Sequence, residues 1–143
     1  MTKDELNKLC NHTLVSHLGI QFTEVDKGKI VAIMPVDNKT VQPQGILHGG
    51  ASMALAETVG SAGSILLVDP KKYFVVGLEI KGNHLSGVSA GFVKATATII
   101  HKGKKTHVWD IKITDDNNQL VNVSRITNLI VEIKKGDGIH VKS

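Results

Sequence analysis

The chain has one cysteine, Cys10, in 143 residues, so no disulfide can form within it and a reducing, cytoplasmic setting is expected. No apolar run approaches the ~18 residues needed to span a membrane. The opening MTKDELNKLC carries charges where the apolar core of a signal peptide would lie. Aromatic residues are scarce and scattered: Phe22, Phe74, Phe92, Tyr73 and Trp109. A binder of single-stranded nucleic acid would cluster them as a stacking platform, and the net charge of +4 comes from dispersed lysines, so no nucleic-acid partner is expected. That charge still suits attraction of a small polyphosphate-bearing molecule. The seven histidines are dispersed, without an HxxxH pair or a second cysteine, so no metal site is expected.

What is present suits one folded domain with an ordinary apolar fraction of 41%. Thr2 and Glu5 have the spacing of a capping box, and Leu6, Leu9, Leu14 and Leu18 form a loose helical stripe. An N-terminal helix over 1–18, ended by Gly19, is expected. Strand-like runs follow at 21–25 and 29–36, joined by Asp26, Lys27 and Gly28. From Gly49 to about Val68 there is no alternation of period two and the run is too long for a strand, which predicts a helix closed by Asp69 and Pro70. Runs at 73–80, 91–100, 106–114 and 120–133 are rich in Val, Ile and Thr and read as consecutive antiparallel strands. Turns at 102–104 and 115–118 separate the last three. The pattern predicts an α+β fold, an antiparallel sheet wrapped around one long central helix over 19–133, with a frayed tail over 134–143.

The chemistry concentrates between Gln42 and Ser61, in QPQGILHGGASMALAETVGS. Glu57 is a carboxylate among small and apolar residues, which points to a buried group with a partner or a task. On a helix, Gly50, Glu57, Ser61 and Ser64 share a small polar stripe, opposite Leu55, Val59, Ala62 and Leu66. The backbone N–H groups of Gly49 and Gly50 fall in the first turn, where they lack helical partners and could polarise a carbonyl oxygen. The Gln42 amide could add a donor. Glu57 could act as nucleophile or general base, and Ser61 could orient it or a water. His48 and Glu57 lie nine positions apart, about 13 Å of helical rise at ~1.5 Å per residue, so they cannot act as a pair within one chain. If both serve one site, a two-fold dimer must supply one from each subunit. Blander readings stand beside these: HGG is also a common tight loop before a helix, a lone Glu in a helix is usually surface-exposed although the small and apolar neighbours of Glu57 weigh against it, Ser61 and Ser64 also suit helix packing, and Gln42 also suits a loop cap.

Q-P-x-G-x-x-H-G-G followed by A-x-x-x-L-A-E-T-x-G-S resembles the hotdog-fold acyl-CoA thioesterases. The branch is that of the Arthrobacter-type hydroxybenzoyl-CoA, the dihydroxynaphthoyl-CoA and the enterobactin proofreading enzymes. The likeness covers about 18–131, with VVGLEIKGNH, the turn at 101–105 and SRIT as supporting marks. The resemblance implies hydrolysis of an acyl- or aroyl-CoA thioester, with coenzyme A as part of the substrate and no separate cofactor. It implies Glu57 as the catalytic carboxylate, Gly49 N–H as the carbonyl donor with Gln42 and His48 beside it, and Ser61 assisting Glu57. It places the site at a dimer interface, with a dimer of dimers as the expected assembly. Coenzyme A contacts are implied for Gly50, Gly77, His84, Leu85, Lys102, Lys104 and Arg125. Lys104 stands where the family commonly has Arg, which removes the planar fork suited to bidentate phosphate binding. Two alternatives remain: a hotdog dehydratase or hydratase, whose local motif differs, and a non-catalytic acyl-CoA-binding module, which has no need of the carboxylate.

Overall fold

A computed structural model describes residues 1–134 and 136, and the expected tail over 134–143 lies almost wholly outside them. Helix α1 (Lys3–Leu9) opens with the capping box, Thr2 Oγ1 accepting from Glu5 N and Glu5 Oε2 from Thr2 N. The expected single N-terminal helix is broken: His12 adopts a φ of +60° and a short α2 (Leu14–His17) follows. Strands β1 (Gln21–Asp26) and β2 (Lys29–Pro35) form the first hairpin, and the long helix α3 (Gly49–Ile65) ends three residues before Val68. The remaining strands are β3 (Tyr73–His84), β4 (Phe92–Lys102), β5 (Thr106–Thr114) and β6 (Leu120–Glu132).

All pairings are antiparallel, and the sheet order is β1-β2-β4-β5-β6-β3. The expectation of consecutive neighbours is corrected at β3, which pairs with β6 and forms an edge of the sheet. The hairpin turns hold β4, β5 and β6 in sequence order, but the connection from β3 to β4 lets β3 lie on the far side of β6. The sheet wraps α3, whose Leu55, Ala56 and Val59 are fully buried against inward residues such as Ala95, Ile111 and Ile126. Gly63 lets the sheet come close: a Cβ there would stand 2.4 Å from the Trp109 ring.

Ser64 belongs to this buried face rather than to a polar stripe with Glu57. Its Oγ accepts from Trp109 Nε1 at 2.8 Å and Asn128 Nδ2 at 2.9 Å, and His107 Nδ1 lies 3.1 Å away. With both lone pairs engaged, the hydroxyl proton is left to donate to His107 Nδ1, which requires a neutral imidazole. Burial pushes the His107 pKa below its ordinary value, and the nearby Lys102 and His101 push it the same way. Asn128 Nδ2 also donates to the Gly60 carbonyl, while Asn128 Oδ1 has no hydrogen-bond partner among the described residues.

A depressed folded pKa means that the unfolded chain takes up the His107 proton first as pH falls. Stability from this residue should be complete above the ordinary value of about 6.5 and decline below it, levelling once the folded imidazole protonates. Denaturant melts across this range should show a shallower decline in His107→Asn than in the wild type. Ser64→Ala, which leaves Trp109 Nε1 and His107 Nδ1 without this partner and Asn128 Nδ2 with only the Gly60 carbonyl, should cost about 1–3 kcal/mol at neutral pH.

Candidate active site

The site is built on the start of α3. His48 is the N-cap, and its Nδ1 accepts from Gly50 N at 2.7 Å, so the Gly50 N–H is not free as the sequence suggested. A Cβ on Gly50 would stand 2.9 Å from the His48 ring, so glycine lets the imidazole fold back over the turn. The Gly49 N–H, one residue earlier, donates to no acceptor among the described residues. An unpaired donor at the N-terminus of a long helix has the helix dipole behind it.

Gly49 lines a cleft of about 430 Å³ together with Gln42, His84 and Leu85, with apolar walls from Ile46, Leu47 and Val121. Four of the residues singled out from the sequence therefore meet in one place. His84 comes from the end of β3, and its Nε2 would stand 2.8 Å from a Cβ on Gly49, so the imidazole lies against the helix start. The side chain of Gln42 is engaged locally: its Oε1 accepts from Gln44 N and its Nε2 donates to Gln44 Oε1 at 3.3 Å.

Glu57 is not in this cleft. It is exposed in the single chain, a correction to the expected buried carboxylate: the small residues around it lie against the sheet, while Glu57 points off the helix toward the β3 edge. Its Oε1 lies over Gly77, 2.7 Å from where a Cβ would be. Ser61 is partly buried, and no hydrogen bond joins it to Glu57. Gly77 therefore makes room for the carboxylate.

The cationic candidates are elsewhere. Lys102 and Lys104 flank a cleft of about 470 Å³ beyond the far end of α3, with Asp69, Tyr73 and His107. Arg125 is on the outward sheet face, 3.6 Å from Asp110, in a third cleft with Lys81 and Asn83. No group of three or more His, Cys, Asp or Glu side chains among the described residues is placed to hold a metal ion, and no described helix is long and apolar enough to cross a membrane.

Sequence reasoning missed Asn122 and Ser124 beneath His84. Asn122 Nδ2 lies 3.2 Å from His84 Nδ1, and Ser124 Oγ donates to Asn122 Oδ1 at 2.5 Å. The signal was present as polar residues at 122, 124 and 128, two or four apart on the inward face of β6, where apolar side chains would be the default.

Known proteins are similar to this chain in sequence and in fold. The thioesterase superfamily model matches residues 44–122, which include Glu57, β3 to β5 and the lining of the cleft apart from Gln42. The crystal structure of a Haemophilus influenzae thioesterase superimposes with a TM-score of 0.91 at 44% identity, covering 96% of this chain and 95% of that one. The 1,4-dihydroxy-2-naphthoyl-CoA hydrolase of Listeria monocytogenes is 46% identical over 82% of this chain and 95% of that protein. The proofreading thioesterase EntH of Cronobacter turicensis is 40% identical over 92% of this chain and 95% of that protein.

If His48 holds the helix start as a cap, His48→Ala should lower stability by about 1 kcal/mol and His48→Asn should largely restore it, since asparagine is a strong N-cap. Urea denaturation of the three proteins checks this.

Proposed function

Because the chain belongs to the thioesterase superfamily, whose hotdog fold it adopts, we propose that it hydrolyses an acyl- or aroyl-CoA thioester at a site shared between two subunits. The observation that carries this reading is the pairing of a free Gly49 N–H in an apolar-walled cleft with an exposed Glu57 on the same helix. The Gly49 N–H receives the thioester carbonyl oxygen and stabilises the negative charge that develops on it. Gln42, His48 and His84 surround the same carbonyl, and Ile46, Leu47, Leu85 and Val121 take the acyl group. Glu57 either attacks the carbonyl carbon, expelling the CoA thiolate, or takes a proton from the water that does so.

Glu57 lies eight positions beyond Gly49 on a rigid helix, about 12 Å at ~1.5 Å per residue, so it cannot reach a carbonyl held at its own chain's Gly49. The outer edge of β3 supports a dimer that solves this. Twelve residues long, β3 pairs on one side with β6 and leaves its other edge open among the described residues, with Val76 and Leu78 exposed. An open edge of this length is a template for pairing with a second copy. Glu57 sits beside that edge, over Gly77, so edge pairing carries it to the partner, with Ser61 on the same side. Two such dimers would form the expected tetramer. Lys102 and Lys104 supply positive charge for the CoA phosphates. The Asp110 carboxylate, 3.6 Å from Arg125, offsets part of the charge that Arg125 would offer a phosphate.

With a panel of CoA thioesters that includes aroyl and aliphatic forms, and free thiol followed by a thiol reagent, Glu57→Gln should lose at least about 10²-fold in kcat without loss of thermal stability. Mixing inactive Glu57→Gln with an inactive Gly49→Val variant, then allowing subunits to exchange, should restore about a quarter of wild-type activity. Half of the reassorted dimers are hybrid, and each hybrid holds one intact site. No recovery despite confirmed exchange would refute the shared site.

A further inference from the structure

We propose that Asn122 and Ser124 are positioning residues that fix His84 in its Nε2–H tautomer, making that N–H a second donor, beside the Gly49 N–H, for the thioester carbonyl oxygen. The proposal rests on the thioesterase reading and deepens it at the same site.

The polarity of the relay follows from its shortest contact. Ser124 Oγ and Asn122 Oδ1 are 2.5 Å apart, within the range of an O–H···O hydrogen bond and shorter than N–H···O bonds, which start near ~2.7 Å. The amide atom facing Ser124 is therefore the oxygen. Asn122 Nδ2 then faces His84 Nδ1 at 3.2 Å, and since an amide nitrogen only donates, Nδ1 must accept. The neutral ring consequently carries its proton on Nε2, the atom that lies against the start of α3.

The thioether of Met53 favours the same direction. Met53 Sδ, the other neighbour of both groups, lies 3.7 Å from Asn122 Nδ2 and 3.5 Å from Ser124 Oγ, and a thioether only accepts. Asn122 is fully buried and Ser124 is 2% exposed, so water is not available to compete for either. A carboxamide in this position is costly unless hydrogen-bonded, and an apolar side chain would fill the inward face of β6 more simply. What this pair provides that an apolar pair cannot is a defined proton position on an exposed imidazole. With Nε2–H and the Gly49 N–H on the same wall of the cleft, two donors face the carbonyl oxygen, the arrangement that stabilises a developing oxyanion.

Asn122→Asp tests the relay with almost no change in shape. A carboxylate accepts on both oxygens, so His84 Nδ1 would become the donor and Nε2 would lose its proton. ¹⁵N NMR of the ring at alkaline pH should show Nε2 protonated in the wild type and Nδ1 protonated in Asn122→Asp. At the same alkaline pH, where the ring is neutral, the variant should lose about 10²-fold in kcat for a CoA thioester, the usual effect of removing one oxyanion donor, with KM within about twofold. His84→Ala should lose a similar amount, and Asn122→Asp should add little to it in the double variant. Ser124→Ala, which frees the amide to flip, should mix the tautomers and lower kcat less; it serves as the readout should Asn122→Asp fail to fold. Protonated Nδ1 in the wild type, or an Asn122→Asp loss undiminished in the His84→Ala background, would overturn the proposal. An intact Nε2–H signature in a wild-type protein that hydrolyses no CoA thioester would instead overturn the thioesterase reading, and the donor role with it.

Discussion

The molecule turns on the Gly49 amide at the start of α3, which has no partner among the described residues. A helix leaves its first N–H groups without internal partners, and this chain closes one of them with its own N-cap, His48 Nδ1 on Gly50, while leaving Gly49 free. Glycine at 49 is also what admits the His84 ring, whose Nε2 would collide with any side chain there. The donor, the apolar cleft in front of it and the imidazole beside it are thus consequences of one local arrangement. The same helix carries Glu57 at a fixed remove, and rigidity turns that spacing into the argument for a second subunit.

The rest of the fold keeps α3 in register with the sheet. The buried contacts of Ser64 with Trp109, Asn128 and His107 hold its C-terminal half at a defined rotation, since each buried polar group loses its partner if the helix turns. Gly63 under Trp109 and Gly77 under Glu57 set the distances at two levels of the helix. Polar networks therefore flank the apolar core at both ends: one around Ser64, the other around Asn122 and Ser124 near the helix start. The first is closed to solvent. The second ends on an exposed ring in the cleft.

Much of this was legible from pattern. The absence of period two over α3, the capping box at Thr2 and Glu5, and the turn residues between β4, β5 and β6 all point to the elements observed, because local propensity and burial agree there. The position of β3 beside β6 was not legible, since a strand pattern records which face is buried and says nothing of its neighbour. The break at His12 depends on a positive φ that no helical stripe announces. Glu57 was misread as buried because neighbours in sequence were taken for neighbours in space: Ala56 faces the sheet, while the next residue points away from it. Gln42, Gly49, His84 and Leu85 meet in the cleft, whereas the inward polar residues of β6 went unread because an asparagine in a strand looks like an ordinary exposed position until its face is known.

In the proposed dimer one helix offers its N-terminus to a substrate and its carboxylate to the substrate held by another subunit. A crystal structure with a non-hydrolysable CoA thioester analogue tests it most directly. The analogue's carbonyl oxygen should lie within hydrogen-bond distance of Gly49 N and His84 Nε2, facing a Glu57 carboxylate contributed by a second copy. A carbonyl bound away from Gly49, or approached by the Glu57 of the same chain, would contradict it.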